Sequence, residues 1–195
     1  MSFIGGIMPP KVRLTKDMLT DAAIELVRRE GIDALGVRSL ASFVGCSTQP
    51  VLSNFGTAEL LKQSTLGTVY ELYEAKTTEM MKAGRYPAYK ASGMAYIDFA
   101  RTEPRLFEAL FMQKRDTKIA AAEAFIDEAI LPIVMKNLGI SEARARLLHL
   151  EMWSFVHGIA VMCATSYLTF TEEEISEMLT DVYLGVGKYQ KEKEK

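Results

Sequence analysis

Cysteine is scarce in this chain of 195 residues: only Cys46 and Cys163 occur, in unlike segments and without metal-ligand spacing. A disulfide framework and a cysteine-built metal site are both excluded on that pattern, and a reduced, cytoplasmic protein is expected. Histidine is equally sparse. His149 and His157 stand eight residues apart, too far along a helix to share a metal with Glu151, and the chain has no HExxH pair and no glycine-rich phosphate loop. Little remains for an acid, a base or a nucleophile to converge on, so no enzyme, no metal and no cofactor are expected. Excess positive charge is missing too, with a net charge of -2 and a pI near 5.8, so any nucleic-acid reading must rest on local pattern. Strand signals are also missing: no alternating runs, no Asn-Gly or Asp-Gly turns.

What is present is helical periodicity, and 49% of residues are hydrophobic, enough for a sizeable core. The expected class is all-α. Residues 1–10 lack the basic flank and apolar run of a secretory signal and read as a loose leader. A first helix is predicted after Thr15 and before Gly31, with Leu19, Ala22, Ala23, Leu26 and Val27 along one face. A long rod starts from Thr57 as N-cap and runs to about Ala83, where Gly84 and Pro87 break it. Pro104 closes one helix and opens another, and Pro132 should kink or split the helical segment from Asp116 to Leu138, with Gly139 as its cap. Ser141 caps a long helix to about Leu168, and Thr171 with Glu174 announces the last. Its stretch Met152 to Leu168 is the most apolar of the chain, but Ser154, His157, Thr165 and Ser166 interrupt it and glutamates flank it, so a buried helix is expected and no membrane partner.

The informative segment runs from Val37 to Phe55, VRSLASFVGCSTQPVLSNF, two helices too short to stand alone, joined at a glycine. Ala41 is small where the helices cross, Gly45 can take the positive φ of the turn, and Val51 locks the second helix, with Leu40, Val44 and Cys46 between them. Thr48, Gln49, Ser53 and Asn54 then face outward, polar groups of a size to reach base edges or phosphates in a major groove.

This helix-turn-helix resembles that of the tetracycline-repressor (TetR) family over about Lys11 to Leu61. Gly45, Cys46 and Ser47 match its Gly-Val-Ser, Gln49-Pro50 a common variant at the recognition-helix start, and Phe55 its aromatic close, while Glu59 and Leu61 fit the opening of the next helix. Leu52 stands where the family usually has Tyr and Ala58 where it usually has Lys, both normally phosphate contacts. Residues 1–56 hold six bases against five acids, a balance of +1, which implies few ion pairs to DNA. Helix N-termini near Arg38, Thr48 and Thr57 are expected to hold phosphates, with Lys11 and Arg13 as an arm.

Further on, Trp153 to Gly158 is similar to a Trp-x-x-x-His-Gly element of one TetR subgroup. The resemblance implies an N-terminal three-helix head, residues 11–56, joined by the long helix to a C-terminal regulatory and dimerisation domain, residues 57–195. It further implies a repressor that binds palindromic double-stranded operator DNA and is released by a small-molecule effector. Leu147 to Leu168 is apolar almost all round, so one face should pack at home and the other, with the last helix, against a second copy in a four-helix seam. Expected pocket residues are Met94, Phe99, Phe107, Phe111, Met112, Trp153 and His157, thioether and aromatic groups that adapt to an apolar guest. The alternative is a helical protein-interaction module that has lost DNA binding, in which Leu52 and Ala58 mark the loss.

Overall fold

A computed structural model describes residues 14–113 and 126–194. The described residues form helices and turns, with no strand among them. The order is α1 Lys16–Glu30, a single 3-10 turn Ile32–Ala34, α2 Val37–Val44, α3 Thr48–Phe55, α4 Ala58–Lys82, α5 Ala88–Thr102 and α6 Pro104–Phe111, then a π-type turn Ile126–Ile130, α7 Leu131–Leu138, α8 Glu142–Ala164 and α9 Glu172–Lys193. This is the expected all-α chain, with a helix-turn-helix near its start and a helical C-terminal part.

The boundaries follow local chemistry. The Thr15 hydroxyl accepts from the Met18 amide at 3.2 Å and the Thr57 hydroxyl from the Leu60 amide at 3.2 Å, each meeting one of the open donors of a helix start. At Thr171 the bond runs both ways, Glu174 N–H to the Thr171 hydroxyl at 3.1 Å and Thr171 N–H to the Glu174 carboxylate at 2.8 Å. Pro104 sits in the first turn of α6 and Pro132 in that of α7, where no backbone donor is needed. The expected split at Pro132 takes the form of the wide turn Ile126–Ile130 running into a regular helix. The part of that expected helix from Asp116 to Ala124 lies outside the described residues.

One end differs from expectation. Helix α8 stops at Ala164, four residues early: Thr165 bends its hydroxyl back to the Val161 carbonyl at 2.7 Å and Ser166 takes φ +56°, so the backbone turns away from the helix. Helix α9 runs on to Lys193, and the Glu194 carboxylate accepts from the amide and the hydroxyl of Ser141, closing the start of α8.

Helix α5 lies centrally, against α4, α8 and α9, while α6 packs beneath α1. One continuous apolar core results, from Leu19 and Leu40 in the head through Leu61 and Phe107 to Leu148 and Leu179. Helix α8 is long and apolar enough by length and composition to cross a membrane, with a mean hydropathy of 1.4. Its surroundings give another reason for that composition: one face (Ala145, Leu148, Met152, Val156, Ile159) is buried against the chain, and the opposite face leaves Leu147 and Leu150 exposed.

Candidate nucleic-acid interface and effector cavity

The head is tightly assembled. Leu40 and Val51 are fully buried and Ala41 nearly so, which lets α2 and α3 cross closely over α1. Gly45 takes φ +76°, the left-handed turn that a side chain would resist, and its amide bonds back to Ser42 while the Cys46 amide reaches Ala41. Ser39 fixes the other end of α2, accepting from the Gly36 amide at 2.9 Å and donating to the Ala34 carbonyl at 2.6 Å.

The outer face of α3 carries Ser47, Thr48, Gln49, Leu52 and Ser53, all exposed, whereas Asn54 is half-buried. Gln49 donates to the Ser53 hydroxyl at 3.2 Å, and Asn54 donates to the Pro50 carbonyl at 2.8 Å, so its amide is drawn back along its own helix. Ser47 makes no side-chain capping bond, which leaves the first-turn amides of α3 without a protein cap, unlike those of α4 behind Thr57. Of the head's bases, Arg28 pairs with Glu103 at 2.9 Å, Arg29 with Glu25 at 2.8 Å, and Lys16 lies over the Phe55 ring. Arg38 stands exposed in the first turn of α2, and Lys11 and Arg13 lie outside the described residues. Leu52 and Ala58 are both exposed beside this face.

The C-terminal part encloses a cavity of about 350 Å³ among α4, α5, α7, α8 and α9. Of the sequence-derived pocket residues, Phe111 and Trp153 line it. Phe99 and Phe107 form its aromatic backing, Phe99 against Tyr73 and Phe107 against Tyr96 and Phe111, and His157 stacks on Trp153 at 4.9 Å while bonding the Tyr96 hydroxyl at 2.9 Å. Met94 is buried in the core without lining the cavity, and Met112 is exposed at the end of α6. Sequence reasoning passed over most of the wall: Tyr70, Tyr73, Tyr89, Tyr96, His149 and Tyr183. The spacing Tyr89, Gly93, Tyr96 on α5 against His149, Met152, Trp153, Val156 on α8 carries that information, since each set falls on one side of its helix.

Few charges enter this space. Burial pushes the His149 ring below its usual range and keeps it neutral, in reach of the Tyr89 hydroxyl at 3.2 Å. The same burial raises the phenols of Tyr70 and Tyr89 and pushes Tyr73 up to about 12, so all three stay protonated. Among the described residues the buried Tyr183 hydroxyl has no hydrogen-bond partner, and the Asn137 amide lies beside it. Among the described residues no group of His, Cys, Asp and Glu could hold a metal ion.

Residues 89–183, the segment that builds most of this cavity, match the model of a tetracyclin repressor-like, C-terminal domain. The uncharacterized HTH-type transcriptional regulator YobS of Bacillus subtilis (strain 168) is 22% identical over 174 residues, 89% of this chain and 91% of that one. The same fold is seen in a crystal structure of a protein designated a transcriptional regulator from Pseudomonas aeruginosa PAO1, which covers 96% of each chain with a TM-score of 0.71 at 15% identity. The TetR family repressor AlkX of Dietzia sp., implicated in biodegradation of n-alkanes, overlaps 89% of this chain and 96% of its own at 16% identity, but its TM-score of 0.40 is too low to bear on the fold. The chain is thus similar over residues 89–183 to a tetracyclin repressor-like C-terminal domain and, over most of its length, to an HTH-type transcriptional regulator.

Proposed function

We propose that the chain is a cytoplasmic repressor that binds a palindromic operator as a homodimer and is released when a small, largely apolar molecule fills the cavity. The observation that carries this reading is the exposed outer face of α3, where Ser47, Thr48, Gln49 and Ser53 stand on a helix held rigidly by the Gly45 turn. In this reading residues 11–56 are the DNA head and residues 57–195 the regulatory part. The dimer forms on the outer faces of α8 and α9, which expose Leu147 and Leu150 together with Leu184 and Tyr189, an apolar patch of the kind that self-associates. Two heads related by the two-fold then meet successive major grooves, roughly 34 to 36 Å apart.

Phosphates are held mainly by the uncapped first turn of α3 and by Arg38, with Lys11 and Arg13 as an arm. An electrophoretic shift with the DNA upstream of its own gene tests this directly. A shift lost in Gln49→Ala with Ser53→Ala is expected; no binding to any duplex at low salt overturns it. Replacing Leu52→Tyr with Ala58→Lys should tighten operator and random DNA alike, because both side chains reach toward phosphates. The exposed Leu52 and Leu60 favour the second reading, a protein-interaction module, and the same shift experiment separates the two.

A further inference from the structure

The polar groups of the cavity are gathered at one end. Tyr89 stands 6.1 Å from His149 and 5.5 Å from Tyr183, ring to ring, and Asn137 lies beside Tyr183. Lys90 follows Tyr89 on α5, and its ammonium donates at 2.8 Å to the hydroxyl of Thr180, one turn before Tyr183 on α9; both line the cavity. The other end is aromatic: Tyr73, Tyr96 and Phe111 pack there with ring centroids 4.8 to 6.0 Å apart. Helices α5 and α8 run side by side in the same direction, since Tyr89 meets His149 and Tyr96 meets His157. The seven residues between these contacts separate the ends by about 10 Å.

The polar end is rich in donors and short of acceptors. Lys90 has no carboxylate partner among the described residues, and the nearby Glu172 is already held by Arg85 at 2.9 Å and by the Tyr86 hydroxyl at 2.8 Å. Among the described residues the buried Tyr183 hydroxyl has no partner, a state that folded proteins seldom leave standing without use. Thr180 and Ser92 add hydroxyls, but both spend their protons on backbone carbonyls, Thr180 on Ser176 at 2.9 Å and Ser92 on Tyr89 at 2.7 Å, so the donors left over are Lys90 and Tyr183. A fixed cation beside an unused donor, at the head of an apolar space, matches an anionic acceptor on an apolar body.

Resting on the reading of this cavity as the effector site, we propose that it takes an elongated monocarboxylate, its carboxylate between Lys90 and Tyr183 and its apolar body lying along Trp153 toward Tyr73 and Phe111. Trp153 is the only tryptophan of the chain and lines the cavity, so its emission reports occupancy without any DNA present. The full-length protein is titrated with decanoate, decanol and decyltrimethylammonium, which share a tail, each below its micelle concentration. Decanoate should saturate at one per chain and bind at least about tenfold more tightly than the ammonium. Lys90→Gln should weaken decanoate about tenfold while leaving decanol within about twofold, and Lys90→Arg should restore it. Tyr183→Phe should weaken decanoate several-fold without lowering the thermal midpoint. Equal affinity for the three heads, or decanoate binding indifferent to Lys90→Gln, overturns the carboxylate and leaves a cavity that reads only the tail. No saturable binding by any of the three overturns the effector cavity itself, and the DNA shift of the free protein is independent of either result.

Discussion

The head and the body of this chain solve opposite problems. In the head, three helices close over a core in which Leu19, Leu40 and Val51 are fully buried, and Ser47, Thr48, Gln49 and Ser53 stand exposed on its outside. In the body, long helices are held apart enough to keep about 350 Å³ open, and hydroxyls, a neutral histidine and an amide are turned inward. Tight packing holds a recognition surface at fixed orientation; an incomplete core keeps space and unused hydrogen bonds for a guest. The contrast makes a quantitative claim about identical substitutions in the two places.

Leu40→Ala should be the most damaging, costing about 3–5 kcal/mol, because no neighbour in the close-packed head can move into the void. Leu179→Ala removes the same atoms from a side chain that borders the cavity, and about 2–3 kcal/mol is expected, since part of its surface already lacks partners. Urea midpoints read by circular dichroism compare the two, and equal costs would erase the difference between head and body. The glycines extend the same test. At Gly45 nothing lies within 4 Å of an added methyl, so Gly45→Ala meets only the strain of φ +76°, about 1–2 kcal/mol, together with loss of DNA binding as α3 is misdirected. At Gly93 the methyl would meet Leu179 at 3.3 Å and Val156 at 3.5 Å, so Gly93→Ala should alter the cavity and the response of Trp153 to decanoate far more than DNA binding.

Legibility divides along the same line. Thr15, Thr57 and the Thr171–Glu174 pair announce helix starts, Gly45 and Gly139 announce left-handed ends, and Pro104 announces a boundary, because each acts within four residues of itself. The polar face of α3 was legible for that reason too. The cavity wall was not: Tyr89, Asn137, His149 and Tyr183 come from four helices, and the parallel alignment of α5 and α8 is what brings Tyr89 to His149. Met94 and Phe99 satisfy the same compositional rule as true lining residues and are simply core, so residue type alone could not choose between them. The early end of α8 depended on a competition at Thr165 and Ser166 that apolar periodicity does not register.

The inward-facing histidine adds a pH dependence near neutrality, and residues 11–56 contain no histidine to match it. Burial holds the His149 pKa below its unfolded value, so the unfolded chain binds the proton more readily. The sign follows: this contribution is fully present above the unfolded pKa of about 6.5 and is lost as pH falls below it. Thermal midpoints from pH 8 to pH 5 should therefore decline, and His149→Phe should flatten the decline. A slope unchanged by that substitution would mean the ring is free to charge where it sits.

The smallest effect is expected where the two regions touch. Arg28 on α1 donates to both carboxylate oxygens of Glu103, at 2.9 and 3.2 Å, just ahead of α6, whose Phe111 lines the cavity. A single Nε–H is shared between the two oxygens, the side chains are 39% and 28% exposed, and water screens such a pair. A double-mutant cycle of Arg28→Ala and Glu103→Ala should give a coupling of about 0.5 kcal/mol, falling further between 0.05 and 0.5 M salt. Its use is then register, setting how α1 sits on α6, while the buried Leu19, Leu106 and Phe107 supply the cohesion. A coupling several times larger would bind head to body as one rigid unit, and filling the cavity could no longer shift the head by loosening a weak contact.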